Sequence, residues 1–223
     1  IVTSPEAKVN RQGNPRIIGE PDAIVHDPGV NPDDFLIFGD MTYDDLAAMA
    51  TTVIPGGSGS ISNTLPTLSS DGSCDTSNEF NWGAPKNPDH ACHEHFPIIH
   101  VKDGDLHLNG GASGQGILLV DGDMKLNGNY EFHGIVIVRG RWEQGGGSSK
   151  VFGTTLIYSN GNMLGTDSEI TGTPEINYSS CAVERAVRFN SALSRALPIA
   201  ERHKNLDRGF ESPIRVVDVV YTA

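Results

Sequence analysis

The feature that most constrains this chain is a short internal repeat across residues 98–163. Four segments share one plan, in which an apolar run leads into a polar-Gly-polar turn and a second short stretch. Ile98-Ile99-His100-Val101 leads into Asp103-Gly104-Asp105-Leu106, and Ile117-Leu118-Leu119-Val120 into Asp121-Gly122-Asp123-Met124. Ile135-Val136-Ile137-Val138 leads into Arg139-Gly140-Arg141-Trp142, and Thr155-Leu156-Ile157-Tyr158 into Asn160-Gly161-Asn162-Met163. Gly104, Gly122 and Gly140 stand 18 residues apart, and Gly161 follows after 21. A second set, Gly116, Gly134 and Gly153, precedes the later apolar runs at spacings of 18 and 19.

A unit of this length cannot bury an inner face alone. Stacking successive units about 4.8 Å apart hydrogen-bonds each strand to the next and builds a continuous apolar column. Glycine recurs where a corner needs positive φ or close backbone approach. Leu106-His107-Leu108 and Met124-Lys125-Leu126 alternate, which puts apolar residues inward and polar ones outward. The fold expected is mainly β: a short single-stranded parallel β-solenoid, or right-handed β-helix. The rival, an antiparallel β-sandwich, brings its strands back at shorter intervals.

The rest of the chain reads as one domain with decorations. Residues 1–54 hold short strands, at 17–19, 23–25 and 35–39, and a short helix opened by Thr42 with Asp44 and Asp45 in its first turn. Residues 55–97 are rich in Gly, Ser, Asn and Pro and read as a long irregular loop. Repeats fill 98–175. In 176–223, Ser179-Ser180 caps a helix running from about Cys181 to Leu193, placed to close an open coil end. Pro198 opens a second helical piece, and a strand at 214–221 must pair with the body or with a neighbour.

With 26 Gly and 13 Pro in 223 residues, the composition favours turn-rich β structure. The net charge of −12 opposes a phosphate backbone and an anionic bilayer, so no nucleic-acid partner is expected. No apolar run approaches the ~20 residues that cross a bilayer. The chain opens on Ile1-Val2, which reads as a mature or trimmed product whose targeting segment is missing, and an N-terminal anchor could have been removed with it. No membrane contact is expected from the chain itself.

Cys74 and Cys92 bracket a loop, and a disulfide there would contribute roughly 3 kcal/mol and suit an oxidising compartment. The alternative is three buried free thiols. His90-Ala91-Cys92-His93-Glu94-His95 is the densest group of metal-ligand types, with His90, His93 and His95 as candidates. Its spacing matches no standard zinc module, so the metal candidates are weak and a polar loop beside a disulfide is the preferred reading. The acids of Asp103-Gly104-Asp105 and Asp121-Gly122-Asp123 could face Ca²⁺ or simply form turns, and Arg139 and Arg141 interrupt the series. His107, Lys125, Glu131, His133 and Glu143 present no evident acid/base pair. No P-loop or Gly-x-Ser-x-Gly elbow is present, so no enzyme activity and no cofactor are expected.

Two stretches carry a family resemblance: Gly114-Gln115-Gly116-Ile117-Leu118-Leu119-Val120-Asp121-Gly122-Asp123 and Phe132-His133-Gly134-Ile135-Val136-Ile137-Val138-Arg139-Gly140. Asn81-Trp82-Gly83, Cys92, Phe96-Pro97-Ile98-Ile99 and Tyr178-Ser179-Ser180-Cys181-Ala182-Val183 are further marks. Across residues 80–200 the chain resembles the β-helical ectodomain of bacterial PilX-like pilus-assembly accessory proteins. The resemblance implies an extracellular, cell-surface location and a surface-assembly role, with protein partners or further copies of the chain. The rival from another class is a carbohydrate-binding or carbohydrate-cleaving β-helix.

Overall fold

The computed structural model describes residues 41–57, 59–157, 175–190 and 193 in full. It also describes the backbone of Tyr158 and of six short strands: β1 (Val2–Thr3), β2 (Asn10–Arg11), β3 (Val25–His26), β4 (Ile37–Phe38), β15 (Glu169–Ile170) and β17 (Val220–Thr222). The other elements are β5 (Met41–Thr42), α1 (Tyr43–Ala48), β6 (Thr52–Pro55), β7 (Ser60–Ile61), β8 (Ile98–Lys102), β9 (Leu106–Asn109) and β10 (Ser113–Val120). They continue with β11 (Met124–Asn127), β12 (Glu131–Val138), β13 (Trp142–Gln144), β14 (Lys150–Tyr158), β16 (Glu175–Tyr178) and α2 (Ser180–Arg188).

The chain is a parallel β-solenoid. One sheet runs β3-β1-β17-β14-β12-β10-β8-β6, with β16 also beside β14, and the second runs β2-β15-β13-β11-β9-β7. Each regular coil contributes one strand to each sheet. Register follows the repeat: Met124 lies beside Leu106 and Trp142, each 18 residues away, and Ile117 beside Ile135. Among the described strands only β4 and β5 pair antiparallel, as a hairpin leading into α1, and an isolated antiparallel bridge joins Leu68 to Cys74.

The two strands of a coil have different burial patterns for a physical reason. Leu118, Val120, Val136 and Val138 point into the solenoid, where they meet Leu106, Leu108, Met124, Leu126 and Trp142. Ile117, Leu119, Ile135 and Ile137 point outward and are covered by Tyr43 and Leu46 of α1 and by Val183 and Ala186 of α2. A strand buried on both faces needs an unbroken apolar run, whereas β9 and β11 face solvent on one side and alternate.

Both helices begin where the sequence places them. Thr42 accepts from the Asp45 N–H while Asp45 accepts from the Thr42 N–H, a reciprocal capping box. Ser179 caps α2 by accepting from the Ala182 N–H. α2 lies along the flank of the first sheet, over β10, β12 and β14, rather than across a coil end. The outward apolar residues of that sheet supply the surface that holds it there.

One boundary moves. The stretch read as opening an irregular loop at 55 still belongs to the solenoid as far as Ile61. Thr52 pairs with Ile99 and Ser60 with His107, 47 residues on, so β6 and β7 form a coil from which residues 62–97 leave and return. Gly56 and Gly57 donate to Lys102 O and Asp105 O. A glycine-rich turn is indistinguishable from a loop once the period is interrupted.

Val220 and Tyr221 of the expected C-terminal strand, together with Thr222, pair with Leu156–Tyr158 of the same chain. Val25 and Ile37–Phe38 of the N-terminal bursts lie in β3 and β4. The remaining parts of those expectations, with the piece after Pro198 and the turn at Gly161, lie outside the described residues.

Candidate functional site

The polar side chains of the repeat gather in two places. The first is the column of turns between the sheets. Asp105 Oδ1 accepts from the Asp123 N–H at 2.8 Å, and Asp123 Oδ1 accepts from the Arg141 N–H at 2.8 Å. The Arg141 guanidinium closes on the same Asp123 carboxylate and lies 3.4 Å from Glu143. Glu143 also meets Lys125 at 3.4 Å. Asp105 and Asp123 thus each hold the next coil. The glycines make this approach fit, since a Cβ on Gly122 would stand 2.3 Å from Asp105 Oδ1. Of the acids considered for Ca²⁺, Asp105, Asp121 and Asp123 accept backbone N–H groups of adjacent coils.

Asp121 serves a different element. Its Oδ2 accepts from the Asp103 N–H at 2.9 Å, and its Oδ1 accepts from the Tyr43 hydroxyl at 2.8 Å and meets His100 Nε2 at 3.0 Å. Tyr43 is buried under Arg139, whose guanidinium carbon lies 5.0 Å from the ring centroid. Burial alone would raise the Asp121 carboxyl, but the hydrogen bonds from Asp103, His100 and Tyr43 outweigh it and bring it below the usual range. Burial likewise pushes the Tyr43 hydroxyl up, reinforced by Asp121.

A pH dependence follows from that shift. Folded Asp121 takes up a proton less readily than unfolded Asp121. Its contribution is complete above the ordinary aspartate range and is lost as pH falls through its lower folded value. We expect D121N to be less stable than wild type at neutral pH and to lose less on acidification. Denaturant melts of both proteins from neutral to acid pH check this; parallel acid slopes would count against it.

The second gathering fastens the excursion of residues 62–97 to the solenoid. Cys74 and Cys92 form a disulfide with their Cα atoms 4.9 Å apart, and Cys181 is the free, exposed cysteine. Asn81, 1% exposed, sits against the bridge, and its Nδ2 donates to Asp75 O at 2.7 Å and to Thr67 O at 3.2 Å. Gln115 of β10, also 1% exposed, donates to His93 O at 2.7 Å and His95 O at 2.9 Å. Trp82 enters the solenoid core, and its carbonyl accepts from the Gln115 N–H at 2.8 Å. Thr64 donates to Ser113 O. The excursion therefore lies beside the start of β10, which extends beyond β8.

The candidate metal histidines are drawn apart by these contacts. His90 Nδ1 accepts from the Cys92 N–H at 3.0 Å. His93 Nε2 meets Arg185 Nη2 of α2 at 2.7 Å, so it is the acceptor, and Nδ1 donates to Ala84 O. His95 Nε2 donates to Asn81 O at 3.2 Å, and burial holds its pKa below the usual imidazole value. Among the described residues, no group of three His, Cys, Asp or Glu is placed to hold a metal ion.

Besides Asp121–His100, an acid–imidazole pair forms among the polar repeat positions, where none was evident from the sequence. His133 Nε2 lies 2.9 Å from Glu131 Oε1, and Lys86 of the excursion meets the other Glu131 oxygen. Burial would raise the Glu131 carboxyl, but Lys86 and His133 outweigh it and lower it. The two residues are i and i+2 on one strand face, a spacing from which the pair could have been read. A shallow opening of about 110 Å³ nearby is lined by Pro85, Phe96, Gln115, His133, Cys181 and Arg185. That volume holds a few waters and falls short of the roughly 300 Å³ at which small-molecule sites begin.

Among the described residues, no helix is long and apolar enough to cross a membrane. Comparison of the chain with family models, with curated proteins and with solved structures finds no match in any of the three.

Proposed function

We propose that this chain is a non-enzymatic structural subunit of a bacterial cell-surface assembly, pilus-like or envelope-associated, acting by protein–protein packing or adhesion. The observation that carries the reading is the use to which its polar side chains are put. Asp105, Asp121, Asp123 and Arg141 brace coil against coil or helix against sheet, Asn81 braces the excursion internally, and Gln115 fastens it to β10. Such a distribution suits a rigid spacer that presents a surface. The Cys74–Cys92 bridge is compatible with an oxidising, extracellular setting. The resemblance to PilX-like ectodomains across residues 80–200 adds the pilus.

The test is fractionation of the native cells. The chain is expected in filaments sheared from the surface, with Cys74 and Cys92 oxidised. Recovery in the cytoplasm with both thiols free would overturn the reading. For the self-assembling variant, light scattering and electron microscopy of the purified chain are expected to show growth with concentration; a monomer at every concentration would remove that variant.

A further inference from the structure

The chain contains one Asn-x-Ser/Thr tripeptide, Asn177-Tyr178-Ser179, and Glu175 stands two residues before its asparagine. The tripeptide is the acceptor pattern of N-linked glycosylation. With an acid at that position it meets the stricter form, Asp/Glu-x-Asn-x-Ser/Thr, that bacterial oligosaccharyltransferases read. A tripeptide alone is a weak signal, since a buried copy cannot be reached. Here the fold places it on the surface.

The motif spans β16 and the cap of α2. Among the described residues β16 is paired on one side only, to β14, with Asn177 beside Phe152. Ile176 packs toward the solenoid core, so its neighbours Glu175 and Asn177 lie on the opposite face, and Asn177 is exposed. Tyr178 is 46% exposed. In the folded chain the flanking groups are engaged. Lys150 Nζ lies 3.0 Å from the Glu175 carboxylate, and Ser179 Oγ accepts from the Ala182 N–H at 3.3 Å. An edge strand held by a single neighbour and one surface ion pair is cheap to release.

We propose that Asn177 is an N-glycosylation acceptor. The proposal rests on the extracytoplasmic location inferred above. The co-substrate class is an oligosaccharide carried on a polyprenyl pyrophosphate. Asn177 Nδ2 forms a bond to C1 of the first sugar as the C1–O bond to the pyrophosphate breaks. The pyrophosphate leaves with the electron pair, and the amide gives up one proton. Because Glu175 and Ser179 are occupied once β16 and α2 dock, transfer takes place while this segment is released.

The experiment exports the full chain in a bacterial host carrying an oligosaccharyltransferase and its lipid-linked glycan, with a second acceptor tag appended as an internal control. Mass mapping reads each site. Glycan is expected on the Asn177 peptide of wild type and of S179T, which keeps both tripeptide and cap. It is expected to be absent from N177Q and from S179D, which keeps a capping carboxylate but breaks the tripeptide. Melting curves confirm that N177Q and S179D fold. A disulfide-bonded chain glycosylated on its tag and bare at Asn177 would overturn the proposal, as would full modification of S179D. Since the host supplies export, failure of the native-location reading shows in the cell fractionation and not here.

Discussion

Replacing Gly134 by alanine is expected to cost about 4 kcal/mol or more, placing the variant among the most damaging single substitutions. Gly116, Gly134 and Gly153 stand beside one another in adjacent strands, with φ of 110°, 141° and 143°. That region is essentially closed to residues with a Cβ and costs about 1–3 kcal/mol by itself. The greater penalty is steric. A Cβ on Gly134 would stand 2.0 Å from Gly116 O and 3.2 Å from Ala186 Cβ. The first atom belongs to the backbone of the adjacent coil and the second to α2, so neither yields without opening the ladder or lifting the helix. For a chain of this size each kcal/mol moves the melting temperature by about 2–4 °C, so a fall of roughly 10 °C or more is expected in a thermal scan. G146A is the control, because nothing lies within 4 Å of its added methyl group. Equal melting of the two variants would remove the argument.

The second large effect is expected at Trp82. Trp82→Ala should cost about 3–5 kcal/mol, the range for truncating a fully buried large aromatic. The indole is 0% exposed and packs within the solenoid core, although its backbone belongs to the excursion. Gly114 leaves room for it: a Cβ there would stand 3.0 Å from Trp82 Cβ and 3.1 Å from Phe132. Trp82 Nε1 also donates to Glu79 O at 3.0 Å. Truncation therefore opens a cavity inside the coils and removes the apolar anchor of the excursion. W82F, which fills most of the space and loses the N–H, should recover more than half of the loss. Denaturant unfolding checks both; an alanine variant within about 1 kcal/mol of wild type would mean that the excursion is held to the coils by contacts such as the Thr64 and Gln115 hydrogen bonds and not by this indole.

Of the two, Gly134 was legible in the sequence as a structural position and Trp82 was not. The Gly116–Gly134–Gly153 series announced itself through its period, because a stack of coils repeats the same tight contact at each layer. Trp82 belongs to no repeat, and its sequence neighbours are loop formers. Its partners, Gly114 and Phe132, lie more than thirty positions away. Only folding brings them together. The same is true of the Tyr43–Asp121–His100 cluster, whose members come from α1, β8 and the turn after β10.

The sequence by itself determined the parallel solenoid, the register of the runs at 98, 117 and 135 and the two helix starts, whereas the fourth run, read as beginning at Thr155, pairs one residue earlier, with Thr154 beside Ile135. Each of these rests on short-range rules: a fixed period, alternation along a strand, a capping side chain. The tertiary structure decided what surrounds that frame. It put α2 on the flank of the first sheet, because the outward apolar residues there needed cover. It returned residues 52–61 to the solenoid across a 47-residue gap in register, and it set the turn acids as rungs between coils. It also divided His90, His93 and His95 among separate partners. Contacts between distant segments are selected by burial and hydrogen-bond satisfaction over the whole chain, and no local pattern encodes them.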